Sequence, residues 1–153
     1  MGTNMEMETD LQRACRMLTE HKATCAFVLG ELVYISKERG VQPLLVCYDE
    51  KKMSAGFSAA DKVVGKAAAF LYVLLGAKEL YADVVSRPAL AVLEQYGIKV
   101  SYGELTDAIR NRTNTGFCPM ETAVLAIDKP SEALAAIRKT RAALQKDSLM
   151  KEN

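Results

Sequence analysis

Tryptophan is absent from the 153 residues, histidine occurs once and cysteine four times, and neither sign of charge dominates. The scarcity of histidine and cysteine narrows metal chemistry. Catalytic zinc needs about three protein ligands from His, Cys or carboxylate, whereas His21 stands alone and Cys15, Cys25, Cys47 and Cys118 form no Cys-x-x-Cys pair. The same spacing argues against a secreted disulfide framework and points to a reducing, cytoplasmic compartment. With 20 Lys and Arg against 19 Asp and Glu, no global field gathers a nucleic-acid polymer or an anionic membrane, so any anion site is local. No apolar run approaches the ~20 residues of a membrane span, and residues 1–10 lack a basic then apolar leader. The nine glycines form neither G-x-G-x-x-G nor a P-loop, which leaves a standard dinucleotide or triphosphate cradle unsupported.

What is present is one domain's worth of chain, half of it hydrophobic, with no repeat or change of composition to mark a boundary. Residues 1–7 read as a disordered start, 8–146 as a single α/β domain and 147–153 as a disordered tail. Leu11, Ala14, Cys15 and Leu18 recur at helical spacing after Thr9 or Asp10 as cap. Residues 25–29 and 32–36 are β-rich runs joined by Gly30-Glu31, the form of a tight hairpin. Pro43 suits the first turn of a helix over 41–48, although a strand is compatible there. Residues 79–85, a helix from Ser86-Arg87-Pro88 to Tyr96, and residues 98–102 make a β-α-β unit. A short helix over 104–111, a helix from Cys118-Pro119 and a last helix from Ser131 to about Lys146 complete the reading, a three-layer α/β/α structure whose small mixed sheet begins with the antiparallel hairpin.

The most informative stretch is residues 57–69, read as the opening of an apolar core helix over about 59–75. Ser58 and Asp61 suit a Ser-x-x-Asp capping box there, with the carboxylate favoured by the helix dipole. Lys62 and Lys66 fall one turn apart, beside Gly65. They can clamp a phosphate or carboxylate, or they can form an ordinary solvated face. Asp61 is a cap, a partner for Lys62 or Arg112, or a general base. Gly65 reflects close packing or room for a ligand, since glycine costs ~1 kcal/mol in a helix interior. Cys118, ahead of Pro119 at a helix start, is the candidate nucleophile or redox thiol, activated by the dipole and by Arg110 or Arg112, or else a buried or capping cysteine. Asn111 and Arg112 offer forked hydrogen bonds to an anion, or a salt bridge at a helix end. Glu121 is a ligand contact or a helix-start carboxylate, and Ser86 an N-cap that can touch ligand.

Ala60-Asp-Lys-Val-Val-Gly-Lys-Ala-Ala-Ala69, the strand end at Ser86, Ile109-Arg-Asn-Arg112 and Gly116-Phe-Cys-Pro-Met-Glu121, in that order, resemble an uncharacterised bacterial family of unknown function assigned to the cytidine-deaminase-like fold. The resemblance spans about residues 24–128. Deaminases of that superfamily place a His or Cys, then a Glu two residues later, at the start of the core helix and Pro-Cys-x-x-Cys at the next. Ser58 to Asp61 and Ser86-Arg87-Pro88 stand there instead, so the resemblance implies the fold without zinc deamination. It also implies a ligand seat at the N-termini of the two central helices and association through helices as a homodimer.

The sequence therefore leads to an expectation of a cytoplasmic domain binding a small anionic or nucleotide-like molecule through Ser58, Lys62, Lys66, Ser86, Asn111, Arg112 and Glu121. No metal, other cofactor, nucleic-acid polymer or membrane is expected as partner. Two other readings stand beside it: a zinc-independent enzyme using Cys118 with Asp61 as proton acceptor, and a structural or regulatory dimerisation domain.

Overall fold

A computed structural model describes residues 8–110, 116 and 118–152, with side chains through Asp147. Helix α1 (Asp10–Glu20) opens on a reciprocal cap: Gln12 N–H donates to the Thr9 hydroxyl at 3.1 Å, and Thr9 N–H donates to Gln12 Oε1 at 2.8 Å. Strands β1 (Cys25–Leu29) and β2 (Leu32–Ser36) form the expected hairpin, with Gly30 at φ +60° in the turn. Helix α2 (Gln42–Glu50) carries Pro43 in its first turn, where proline forfeits no helical hydrogen bond.

The next segment departs from the sequence reading. Ser58–Val64 is strand β3, and helix α3 begins only at Lys66 and runs to Leu75. β3 lies between β1, antiparallel to it, and β4, parallel to it. Small Ala59 and Ala60 let layers close on both faces of this inner strand, Ala59 joining the larger core and Ala60 the smaller one under α1. The β-branched pair Val63-Val64, followed by Gly65 in extended conformation, ends the strand. Ser58 is thus no helix cap. Its hydroxyl bonds the Glu79 carboxylate at 2.6 Å across the parallel pair.

Strand β4 (Glu79–Ser86), helix α4 (Arg87–Gln95) and strand β5 (Lys99–Thr106) follow as a parallel β-α-β unit. β5 extends through residues expected to be helical: Glu104, Leu105 and Thr106 pair with Val84, Val85 and Ser86, and residues 107–110 are not helical. Helix α5 (Pro119–Val124) is short, and α6 (Pro130–Glu152) continues beyond the end expected near Lys146. The five strands run in the order β2-β1-β3-β4-β5. α1 packs on one face of the sheet through Ala14 and Leu18, and α2 to α6 contribute to the larger core on the other, giving three layers. Among the described residues no helix is long and apolar enough to cross a membrane.

Phe27 anchors that larger core. Its ring lies 4.8 Å from Phe57, 5.4 Å from Tyr34 and 5.5 Å from Tyr72 between centroids, and each such pair adds about 0.5–1.5 kcal/mol to area burial. The cluster fixes the Tyr72 ring, which decides what Asp61 can bond.

Candidate functional site

Asp61 sits in β3 opposite Cys25 of β1 and is only 8% exposed. Tyr72 of α3 donates its hydroxyl to Oδ2 at 2.6 Å, and Val63 N–H donates to Oδ1 at 3.2 Å. Burial disfavours the charged form and outweighs the bonds from Tyr72 and from the Val63 and Lys62 amides, so the carboxyl is pushed up to about 7, with the negative charge of Asp83 adding to the rise. The surrounding acids move the same way. Burial and the Asp61 charge hold Tyr72 well above the ordinary phenol range and keep Cys25 a neutral thiol, while burial raises Cys47 to about 11. Asp61 is therefore an acid whose burial favours its neutral form up to about pH 7, beside the buried Tyr72 and Cys25.

The N-terminus of α3 is an anion seat already filled from within. Glu121 of α5 accepts from Lys66 N–H at 2.6 Å and from Ala67 N–H at 3.1 Å. Free amides at a helix start favour a carboxylate, yet burial still raises the Glu121 pKa, its cost exceeding the help from these amides and the Lys66 charge. Gly65 makes the arrangement possible, because a Cβ there would stand 2.5 Å from the Glu121 carboxyl carbon. The glycine thus makes room for an internal carboxylate.

Beside this pair opens a cleft of about 870 Å³ with largely apolar walls, within the size range of small-molecule sites. The ends of β1 and β3 contribute Thr24, Cys25, Asp61, Lys62 and Val63, and the segment entering α2 contributes Arg39 to Pro43. Ile109, Arg110, Cys118 and Glu121 supply another wall, and Arg141 and Leu144 of α6 complete the rim. Lys62 and Arg39 are exposed and enter no ion pair among the described residues.

Of the residues expected from sequence, Asp61, Lys62, Cys118 and Glu121 share this cleft. Lys66 does not line it. Its ammonium donates to the Leu125 carbonyl at 2.9 Å, lies 5.7 Å over the Phe70 ring, and borders a smaller hollow with Pro88, Gln95 and Asp128. The two lysines expected on one helical turn are separated because the first is on a strand. Ser58 and Ser86 lie outside the cleft lining, Ser86 accepting from Ala89 N–H as the cap of α4. A ligand seat at the N-termini of α3 and α4 therefore does not match this geometry: Glu121 holds the first and the Ser86 hydroxyl the second. Asn111 and Arg112 lie outside the described residues. Cys118 is half-buried at the start of α5, a helix of six residues. Among the described residues no three His, Cys, Asp or Glu side chains are placed to share a metal ion, so the donor set does not fit the deaminase zinc. Sequence reasoning missed Arg39, Gln42 and Arg141 as cleft residues; they lie far apart in the chain with no shared motif, and only the tertiary fold gathers them.

Fold and cleft together define a three-layer α/β/α domain with a half-open pocket beside the ends of its central strands. Residues 13–140 match the family described as TM1506, domain of unknown function (DUF1893), and the chain belongs to that family. It is similar to the crystal structure of a DUF1893 family protein, TM1506, from Thermotoga maritima, at 26% identity and a TM-score of 0.76, over 93% of this chain and 99% of that one. No curated protein matches it.

Proposed function

We propose that the cleft is a receptor for a small organic anion, nucleotide-like in size, held by the cationic rim against an apolar wall, in a domain of cytidine-deaminase-like fold without zinc chemistry. The observation that carries this is the convergence of Arg39, Lys62 and Arg141, from three separate parts of the chain, on a mostly apolar cleft lined also by the buried Asp61 carboxyl. Lone cations on a solvated surface need no such hollow, and an apolar hollow used only for packing needs no cations. Lys62 stands out because its side chain, exposed at the cleft, is bound to no acid among the described residues. The resulting local field attracts an anion that the near-neutral molecule as a whole does not.

A thermal-shift panel of adenosine and uridine monophosphates, inorganic phosphate and aromatic carboxylates tests the reading. A ligand at about 100 times its dissociation constant stabilises the fold by ~2.7 kcal/mol, which for a domain of this size raises the melting temperature by about 5–10 °C. The rise is expected to disappear in Lys62→Glu and to persist in Lys66→Ala. No shift with any member of the panel, or a shift indifferent to Lys62→Glu, would count against an anion receptor.

A further inference from the structure

Gln42 sits in the first turn of α2 and lines the same cleft. Its Oε1 is buried and has no hydrogen-bond partner among the described residues. Buried polar atoms are almost always paired, and leaving an acceptor unpaired carries a desolvation penalty that folding alone gives no reason to keep. Asp61, a buried residue of the lining, accepts from Val63 N–H at one oxygen and from the Tyr72 hydroxyl at the other, with the Lys62 amide also supporting its charged form. Each carboxylate oxygen has capacity for a further one. The buried side of the cleft therefore offers acceptors, while the rim offers the cations Arg39, Lys62 and Arg141.

From this we infer, resting on the receptor reading above, that the ligand has two unlike ends: an acidic group met by the rim and an N–H donor group, such as an amino or amide, met by Gln42 Oε1 and the Asp61 carboxyl. A plain anion satisfies the rim and leaves Gln42 unpaired. A donor-bearing anion satisfies both, and the apolar walls accommodate the body between its ends. Gln42 is then a specificity-determining residue, since a site built to accept a hydrogen bond rejects the analogue that cannot donate one.

The test uses matched probes differing only in an amino group: 4-aminobenzoate against benzoate, and adenosine 5′-monophosphate against purine riboside 5′-monophosphate, titrated calorimetrically into the full chain. In at least one pair the amino member is expected to bind about tenfold tighter or more. That preference is expected to vanish in Gln42→Leu while the affinity for the member without the amino group is kept. Without ligand, Gln42→Leu is expected to melt no lower than the parent, because it removes a buried acceptor that has no partner among the described residues; Gln42→Met repeats the comparison with a side chain of closer shape. Equal affinities within both pairs, a preference surviving in both variants, or a lowered melting temperature in both unliganded variants would overturn the inference while leaving the receptor intact. If neither member of either pair binds, the inference falls, and the receptor reading falls with it when no other member of the thermal-shift panel binds either.

Discussion

Asp61→Asn is expected to remove a fall in stability that the parent protein shows between about pH 4 and pH 7. Asp61 has a folded pKa of about 7, against roughly 3.9 for an unfolded aspartate. Between those values the folded chain holds a proton that the unfolded chain has released, so unfolding free energy declines as pH rises through the window and levels off above it. The full window corresponds to about 4 kcal/mol, and partial access of water from the cleft reduces the expected loss to about 2–4 kcal/mol. Asparagine preserves the shape, can accept from Val63 N–H and can donate to the Tyr72 oxygen, yet carries no charge to bury. Urea denaturation at several pH values should therefore give a difference between variant and parent that grows in the variant's favour up to about pH 7 and then stays constant. Taking the difference cancels most of the contribution of Asp49, whose carboxylate is held below its ordinary range by Arg138 and whose pH dependence has the opposite sign. A difference that does not change with pH would show that Asp61 ionises as freely in the folded chain as in the unfolded one.

Gly65→Ala is expected to destabilise the fold by about 2–3 kcal/mol through residues that are distant in sequence. The new methyl would occupy the place of the Glu121 carboxylate. That carboxylate ends a flexible side chain and can swing away, so the steric cost alone is small, but leaving breaks its bonds to Lys66 N–H and Ala67 N–H. Bonds to a charged acceptor are worth about 1.5–3 kcal/mol, and the two amides would be left unpaired at the start of an almost wholly buried helix. Glu121→Ala should cost a similar amount for the same reason. The decisive comparison is the double variant: once Glu121 is gone, Gly65→Ala should cost nothing or even stabilise slightly, because alanine restricts the unfolded chain more than glycine does. Additive losses would mean that Gly65 serves something other than the seating of Glu121.

Much of the fold is legible in the sequence, and the failures have a common cause. Thr9 with Gln12, the Gly30-Glu31 turn, Pro43 and the Ser86-Arg87-Pro88 start carry their structural instructions within a few residues, and each produces the expected element. β3 does not. Ser58-Ala-Ala-Asp61 imitates a capping box and leads into Lys66-Ala-Ala-Ala69, so local preference favours one long helix; the strand forms because β1 and β4 flank it, a condition set by chain far from it. β5 overruns its expected end for the same reason, as β4 offers pairing partners up to Ser86. For the site, Asp61, Lys62, Cys118 and Glu121 stand out as chemically unusual in sequence, but the roles of two of them are invisible there. Glu121 reaches α3 across 55 residues, and the rise in the Asp61 pKa comes from its burial on an inner strand, which a place at the start of a helix would not give it.

The anion receptor proposed here lies in a single cleft at the ends of β1 and β3. Backbone amide NMR during titration with the probe giving the largest thermal shift measures this residue by residue. The predicted result is saturable perturbation concentrated at residues 24–25, 39–42, 61–65 and 118–121, with the amides of α4 and β2 little changed. Perturbations centred instead on Pro88's neighbours, Gln95 and Asp128 around the smaller hollow, or spread evenly over the surface, would contradict it.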